Sequence, residues 1–225
     1  MTDRRPRPRA VTAAAIAATI GAGVLVATQH RLNGELGQRL DDGFTAALIS
    51  FGSGWLLLMA VLAVSPRGQR GLRALRTEVR AGRLPWWLLL GGLGGAVLVL
   101  SQGLVAGILG VAIFTIASVT GQTVSGMVAD ATGFAGMGRT PVTPQRVVGA
   151  LLTLAAVVVA VGPRLATDVP VAAIILPLVA GLAIGLQQAV NGRVRRDADS
   201  ALAATTLNFA IGTAALVAAT GVHLL

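Results

Sequence analysis

Long uninterrupted apolar runs dominate the chain, and short polar clusters separate them. Residues 11–28 carry no charge, nor do residues 44–64, and the whole stretch 84–129 is uncharged. About 20 helical residues cross a hydrocarbon core of roughly 30 Å. The pattern therefore predicts seven helices, at 11–28, 44–64, 85–106, 111–129, 147–161, 171–190 and 201–222, with a tight glycine turn near residues 107–110 dividing the longest run. The segment 65–83 reads as an arginine-rich linker, and 130–146 as a loop rich in turn formers. In lipid every backbone N–H and C=O needs an internal partner, which a helix supplies within one segment. The short alternating segments of a membrane β-barrel do not occur in this sequence. The expected fold class is all-α, a polytopic transmembrane bundle of about seven helices.

Composition agrees. Of 225 residues, 54% are hydrophobic and 12% charged, about half the charge of an average soluble domain. The absence of cysteine excludes disulfides, thiolate metal sites and thiol catalysis. The 18 basic residues are all arginine, and the net charge is +9. Their placement argues for topology over nucleic-acid binding. Arg4, Arg5, Arg7 and Arg9 precede the first span, Arg67, Arg70, Arg73, Arg76, Arg80 and Arg83 follow the second, Arg139 and Arg146 follow the fourth, and Arg193, Arg195 and Arg196 follow the sixth. Alternation puts all of these on one side and leaves Arg31, Arg39 and Arg164 on the other. The positive-inside rule then places the N-terminus in the cytoplasm of a bacterial-type plasma (inner) membrane, with Trp86 and Trp87 at the interface. The basic N-terminus followed by an apolar run has the outline of a signal peptide, but the run is longer than an h-region and no Ala-x-Ala site follows, so it reads as a retained helix.

The chain also repeats itself. With Asn33 set against Asn191, and no gap, Gly23 meets Gly181, Gln29 meets Gln187, Gly34 meets Gly192, Asp41 meets Asp199, Phe51 meets Phe209 and Gly54 meets Gly212. Five helices separate the two starts, so the second copy begins from the opposite side of the bilayer. This is the inverted repeat of many secondary transporters, in which two near-equivalent conformations open to opposite sides.

The stretches "QHRLNGELG" and "FGSG", the glycine-rich "GGLGGAVLVLSQGLVAGILGVAIFTIASVTGQTVSGMVADATGF" and "TPQRVVGALLTLAAVVV" resemble the drug/metabolite transporter superfamily, in particular its YdcZ-type five-helix proteins. The resemblance covers nearly the whole chain. It implies a plasma-membrane protein of unassigned substrate, with residues 1–162 as a first five-helix unit and 163–225 as the first two helices of a second, inverted unit. Fused members of this type are expected to hold two complete units, so the second unit here is expected to be incomplete, its missing helices supplied by a homo- or hetero-oligomeric partner. The related small multidrug resistance proteins use a carboxylate inside the first helix. Residues 11–28 contain none, so that antiport mechanism does not carry over.

Candidate substrate-path residues are Gln29 and Asn33, Gln187 and Asn191, Ser101 and Gln102, Gln122, and Asn208. The first two pairs are i,i+4 and so share a helix face. They line the mouths of a pathway, or else Asn-Gly ends each helix in a left-handed residue and the glutamines bond across helices. A primary amide in hydrocarbon must find partners, whether substrate or neighbouring helix. Gly91/Gly95, Gly103/Gly107 and Gly181/Gly185 have the four-residue spacing of close helix packing. His30 and His223 read as solvated helix-end residues, and Glu35, Asp41, Asp42, Asp130 and Asp168 fall at ends or in loops. An intramembrane enzyme would need a nucleophile, metal cluster or acid–base pair at one depth, so no enzyme, metal or cofactor is expected. The expected function is a secondary transporter, or part of one, for a small metabolite or amphipathic compound. The alternative is a non-transporting membrane subunit that assembles with a partner through helix packing.

Overall fold

A computed structural model describes residues 9–165 and 170–225. Arg4, Arg5, Arg7 and Asp168 lie outside the described residues. Within them the chain forms α1 (Arg9–Leu40), α2 (Gly43–Ala63), α3 (Pro66–Arg80), α4 (Gly92–Ser101), α5 (Gly107–Leu109), α6 (Val111–Thr132), α7 (Pro144–Leu165), α8 (Val171–Ala198) and α9 (Ala201–His223), and no strand. A 3₁₀ turn (Trp86–Gly91), α4, a π turn (Gln102–Ala106) and α5 follow one another as a single broken helix. Six spans among the described residues are long and apolar enough to cross a bilayer: α1, α2, the broken helix, α6, α8 and α9. The fold is an all-α polytopic bundle. The segment expected as the fifth span is α7, which packs on α6 and turns Val148, Leu151 and Leu152 outward.

Two expected boundaries are corrected. The first helix does not stop at Thr28 nor the sixth at Val190, so Asn33–Gly34 and Asn191–Gly192 lie inside α1 and α8, and the helix-end reading of Asn-Gly fails. A glycine inside a helix costs about 1 kcal/mol relative to alanine, but close packing requires it in α1. A Cβ at Gly37 would lie 2.1 Å from the Gly103 carbonyl oxygen, and one at Gly34 2.9 Å from the Gly107 nitrogen. The left-handed residues that end these helices are Asp41 (φ 52°) and Asp199 (φ 46°), which are repeat mates. The next residue in each copy caps the following helix. Asp42 accepts from the Phe44 and Thr45 N–H groups, and Ser200 accepts from the Ala203 N–H.

The segment read as a linker is the amphipathic helix α3. Ser65 caps it, Pro66 stands in its first turn, and Gly68, Gly71 and Leu75 face the bundle. Arg67, Arg70, Arg73, Arg76 and Arg80 are exposed. Their three- and four-residue spacing is the signature of one helix face.

The Asp42 cap is a testable element. The Thr45 hydroxyl donates to its carboxylate and, with the Phe44 and Thr45 N–H groups and nearby His223, holds the carboxyl below its ordinary 3.8 against an opposing effect of burial. A depressed folded-state value means that the contribution is complete above the ordinary value and is lost as pH falls through the folded one. Asp42→Ala is expected to cost about 1 kcal/mol near pH 7, a difference that shrinks in acid. Thermal unfolding of both proteins in detergent at pH 7 and pH 3 checks this.

Helices α2 and α9 pair antiparallel. The rings of Phe44 and His223 stack at one end, with centroids 4.3 Å apart, and Phe51 stacks on Phe209 in the middle at 4.5 Å. At the other end Arg67 reaches Asp199 at 3.4 Å. The middle contacts are reciprocal between repeat mates. A Cβ at Gly54 would lie 2.4 Å from the Phe209 ring, and one at Gly212 2.3 Å from the Phe51 ring. Residue i meeting j′ while i′ meets j is the mark of a two-fold relation, so the helices that contain Phe51 and Phe209 face each other about a local two-fold.

Candidate functional site

The broken helix is the polar spine of the bundle. Its glycine face at Gly91–Gly95 admits side chains that any Cβ would exclude. At Gly91 a Cβ would fall 2.9 Å from Asn191 Oδ1 and 3.1 Å from Asn208 Oδ1, and at Gly94 2.9 Å from Gln187 Oε1. Carboxamides from α8 and α9 thus converge on the start of the broken helix. Gln187 Oε1 is buried there without a hydrogen-bond partner. Gly95 meets both the same Gln187 Oε1, 3.4 Å from a Cβ position, and Phe51 of α2, whose ring lies 2.9 Å from it.

A second cluster sits near the other end, at the π turn. Asn33 Nδ2 of α1 donates to Gln102 Oε1. Both residues are buried, as is Ser101. Ser101 Oγ and Gln102 Nε2 find no partner. π turns concentrate at functional sites because the extra residue redirects side chains and frees backbone groups. Here the turn is held by glycines. A Cβ at Gly103 would lie 2.5 Å from the Gly43 carbonyl oxygen, and one at Gly107 2.3 Å from the Gln38 carboxamide carbon. Eleven residues separate Gly91 from Gln102, so at 1.5 Å per residue Asn191 and Asn33 meet the broken helix about 17 Å apart.

Gln122 belongs to neither cluster. It accepts a 3.3 Å hydrogen bond from Gln188 Nε2 and lines a groove of ≈ 520 Å³ between α6, α7 and α8 with Thr123, Thr153, Gln188 and Arg146. Arg146 pairs with Asp130 at 2.6 Å at the groove's end. Gln29 is exposed on α1 although Asn33, one turn on, is buried. The structure therefore distributes seven of the eight polar candidates over three places and leaves Gln29 outside them. Gly181 and Gly185 instead weld α8 to α6. A Cβ at Gly181 would lie 2.0 Å from the Ser118 carbonyl oxygen, and one at Gly185 1.9 Å from Ser125 Oγ.

Sequence reasoning missed two features of the interior. Thr206, Thr213 and Thr220 line α9 at seven-residue intervals, all buried, with unpartnered hydroxyl oxygens. That interval was a readable stripe signal. His30, expected to be solvated, is 1% exposed. It shares a 3.0 Å hydrogen bond between Nδ1 and Thr115 Oγ1 and meets the Phe114 ring edge-on at 5.0 Å. Only the continuation of α1 past Thr28 brings His30 inside the packed region.

A polytopic helical bundle with a two-fold core and buried, under-bonded amides along a broken helix is the architecture of a membrane transporter. The family model described as "Putative inner membrane exporter, YdcZ" matches residues 14–159 and 172–223. The two stretches begin at residues equivalent under the repeat that pairs Asn33 with Asn191. The chain belongs to this family, DMT_YdcZ, and is a multi-pass membrane transporter of the drug/metabolite type. Neither the comparison with curated proteins nor that with solved structures found a match.

Proposed function

We propose that the chain is a secondary transporter, or part of one, that moves a small metabolite or amphipathic compound out across the inner membrane by alternating access. The observation that carries this reading is the reciprocal contact of repeat mates, Phe51 with Gly212 and Phe209 with Gly54. It supports two units, residues 1–162 and the start of an inverted one at 163–225, rocking about the α2–α9 seam. The amide clusters at the two ends of the broken helix then serve as alternately exposed polar contacts for the solute, and Gln122 with Gln188 lines a lateral groove. The N-terminus is cytoplasmic in this reading, which the grouping of Arg67, Arg195 and Arg196 around one pocket supports.

Proteoliposomes holding the purified chain, screened with small metabolites and fluorescent amphipathic dyes, are expected to show saturable flux. Gln122→Ala and Gln187→Ala are expected to lower it about tenfold at unchanged abundance. Flux no greater than in empty vesicles overturns the proposal. Arg76→Cys, the sole thiol in such a variant, should resist impermeant maleimide applied outside intact cells.

One observation favours the alternative of a subunit that assembles through helix packing. Gly181 is buried against α6, while its mate Gly23 on α1 has nothing within 4 Å of a Cβ position. From Ala13 to Val26 every side chain of α1 is exposed. The internal two-fold thus leaves a face on α1 whose counterpart on α8 is occupied, and a homo- or hetero-oligomeric partner helix would cover it. Gly23→Leu should then lower the assembled mass seen by light scattering without unfolding the chain.

A further inference from the structure

We propose that His30 is the proton-binding residue of this protein, and that proton uptake there parts α1 from α6 and opens the interior on the α1 side. His30 holds the only buried imidazole among the described residues, and it sits where α1 meets α6. Its polar contact is the Thr115 hydroxyl, and the Phe114 ring fills the space beside it. A neutral imidazole suits this setting because one ring nitrogen shares the hydrogen bond with Thr115. A second ring proton, taken from the aqueous phase, adds a charge that nothing beside the ring balances and leaves one of the two ring N–H groups without an acceptor.

The neighbours offer no counter-charge. On α1 itself Arg31 is exposed, and Glu35 is engaged by Arg39 at 2.5 Å. Within α2 (Gly43–Ala63) and the broken helix no residue is ionisable, and Asp42 caps α2 beside His223. On α6 the single ionisable residue is Asp130, fifteen residues from Thr115 and so about 22 Å away, where it pairs with Arg146. The imidazolium therefore gains most by reaching water, and α1 can part from α6 by tilting about Gly37, where its backbone is seated on the Gly103 carbonyl. Its first half touches little of the bundle, whereas α8 is locked to α6 by backbone contact at Gly121 and Gly181.

The repeat makes the device one-sided. The mate of His30 is Gln188, which also bonds to α6, through Gln122, but has no titratable group. Both copies grip α6 with a polar side chain, and only the first grip responds to pH. His30 is also three residues before Asn33, on the face that holds Gln102, so its release would unseat the buried amide pair at the π turn. Its role in a transport cycle rests on the reading above, but the proton-driven movement does not.

The chain lacks cysteine, so Ala106→Cys is a unique reporter. Ala106 is covered by Gly34 of α1. Its maleimide labelling rate in nanodiscs, divided by that of an exposed thiol in Arg76→Cys, is expected to rise about tenfold from pH 8 to pH 5. Adding His30→Gln should flatten the profile, while adding His223→Gln should leave it intact. The carbon-13 imidazole signals of the wild-type chain, which has two histidines, should show His30 titrating as the labelling rises. An equal pH rise in the His30→Gln background overturns the proposal, as does a His30 signal that does not titrate between pH 5 and pH 8. If labelling follows His30 but vesicles show no flux at any pH, the transport reading fails and the proton site stands.

Discussion

Gly181→Leu is expected to abolish accumulation of the folded protein, while the same change at its repeat mate Gly23 leaves folding unchanged. At Gly181 even a Cβ would lie 2.0 Å from the Ser118 carbonyl oxygen and 2.8 Å from its carbon. Those are backbone atoms of a packed helix, which cannot swing aside as a side chain can. Gly121 mirrors the clash from the other helix, with a Cβ position 2.3 Å from the Leu178 carbonyl oxygen. Separating α6 from α8 enough to admit leucine would forfeit van der Waals contact along the whole seam, which is what holds helices together where lipid is as apolar as they are. Overpacking of this kind costs about 3 kcal/mol, a large part of the stability of most proteins. Gly23 has nothing within 4 Å. Monodispersity after detergent extraction, with thermal unfolding of the two variants, reads the contrast. A Gly181→Leu protein that unfolds like wild type would mean that the α6–α8 seam is not as close as described.

Asn33→Leu is expected to impair both stability and transport, and to do so through Gln102. Their hydrogen bond is buried on both sides, and Gln102 Nε2 already lacks a partner. Removing Asn33 strands the remaining polar atom of Gln102 as well, at about 1–2 kcal/mol. Gln102→Leu strands Asn33 in the same way. The double variant replaces two polar groups by two apolar ones and should recover about 1 kcal/mol relative to the sum of the singles. Unfolding in mixed micelles measures this coupling. Flux should behave differently. If the amides contact solute, all three variants lose about tenfold or more, and the double variant recovers nothing. Recovery of flux with stability would make the pair a structural fastener only.

The spans are legible in the sequence because membrane insertion depends on summed apolarity, a property of a stretch and not of its neighbours. The turn at Gly110 and the capping residues are similarly local. Gly110 takes φ 83°, and Asp42 and Ser200 bond to N–H groups within three residues. The repeat is legible too, since matches of Asn, Gln, Asp and Phe in register need no structure to see. Helix ends are a different matter. Asn33–Gly34 has the local chemistry of a helix stop, and α1 continues through it because Gly34 and Gly37 meet the 103–107 segment, some seventy residues later in the chain.

The candidate side chains show the limit most plainly. Gln29 and Gln187 are equivalents in the repeat, as are His30 and Gln188, and Gly23 and Gly181. Yet Gln29 is exposed and Gln187 Oε1 is buried without a partner, while Gly23 faces open space and Gly181 faces backbone. By itself the sequence determined that this is a helical membrane protein whose chain carries a repeated pattern of residues, since hydropathy and register are properties of the chain alone. The tertiary structure alone decided which copy of each residue is buried and what it touches. Helical periodicity sets the directions in which side chains point, and only the packed neighbours settle which of those directions leads into the interior.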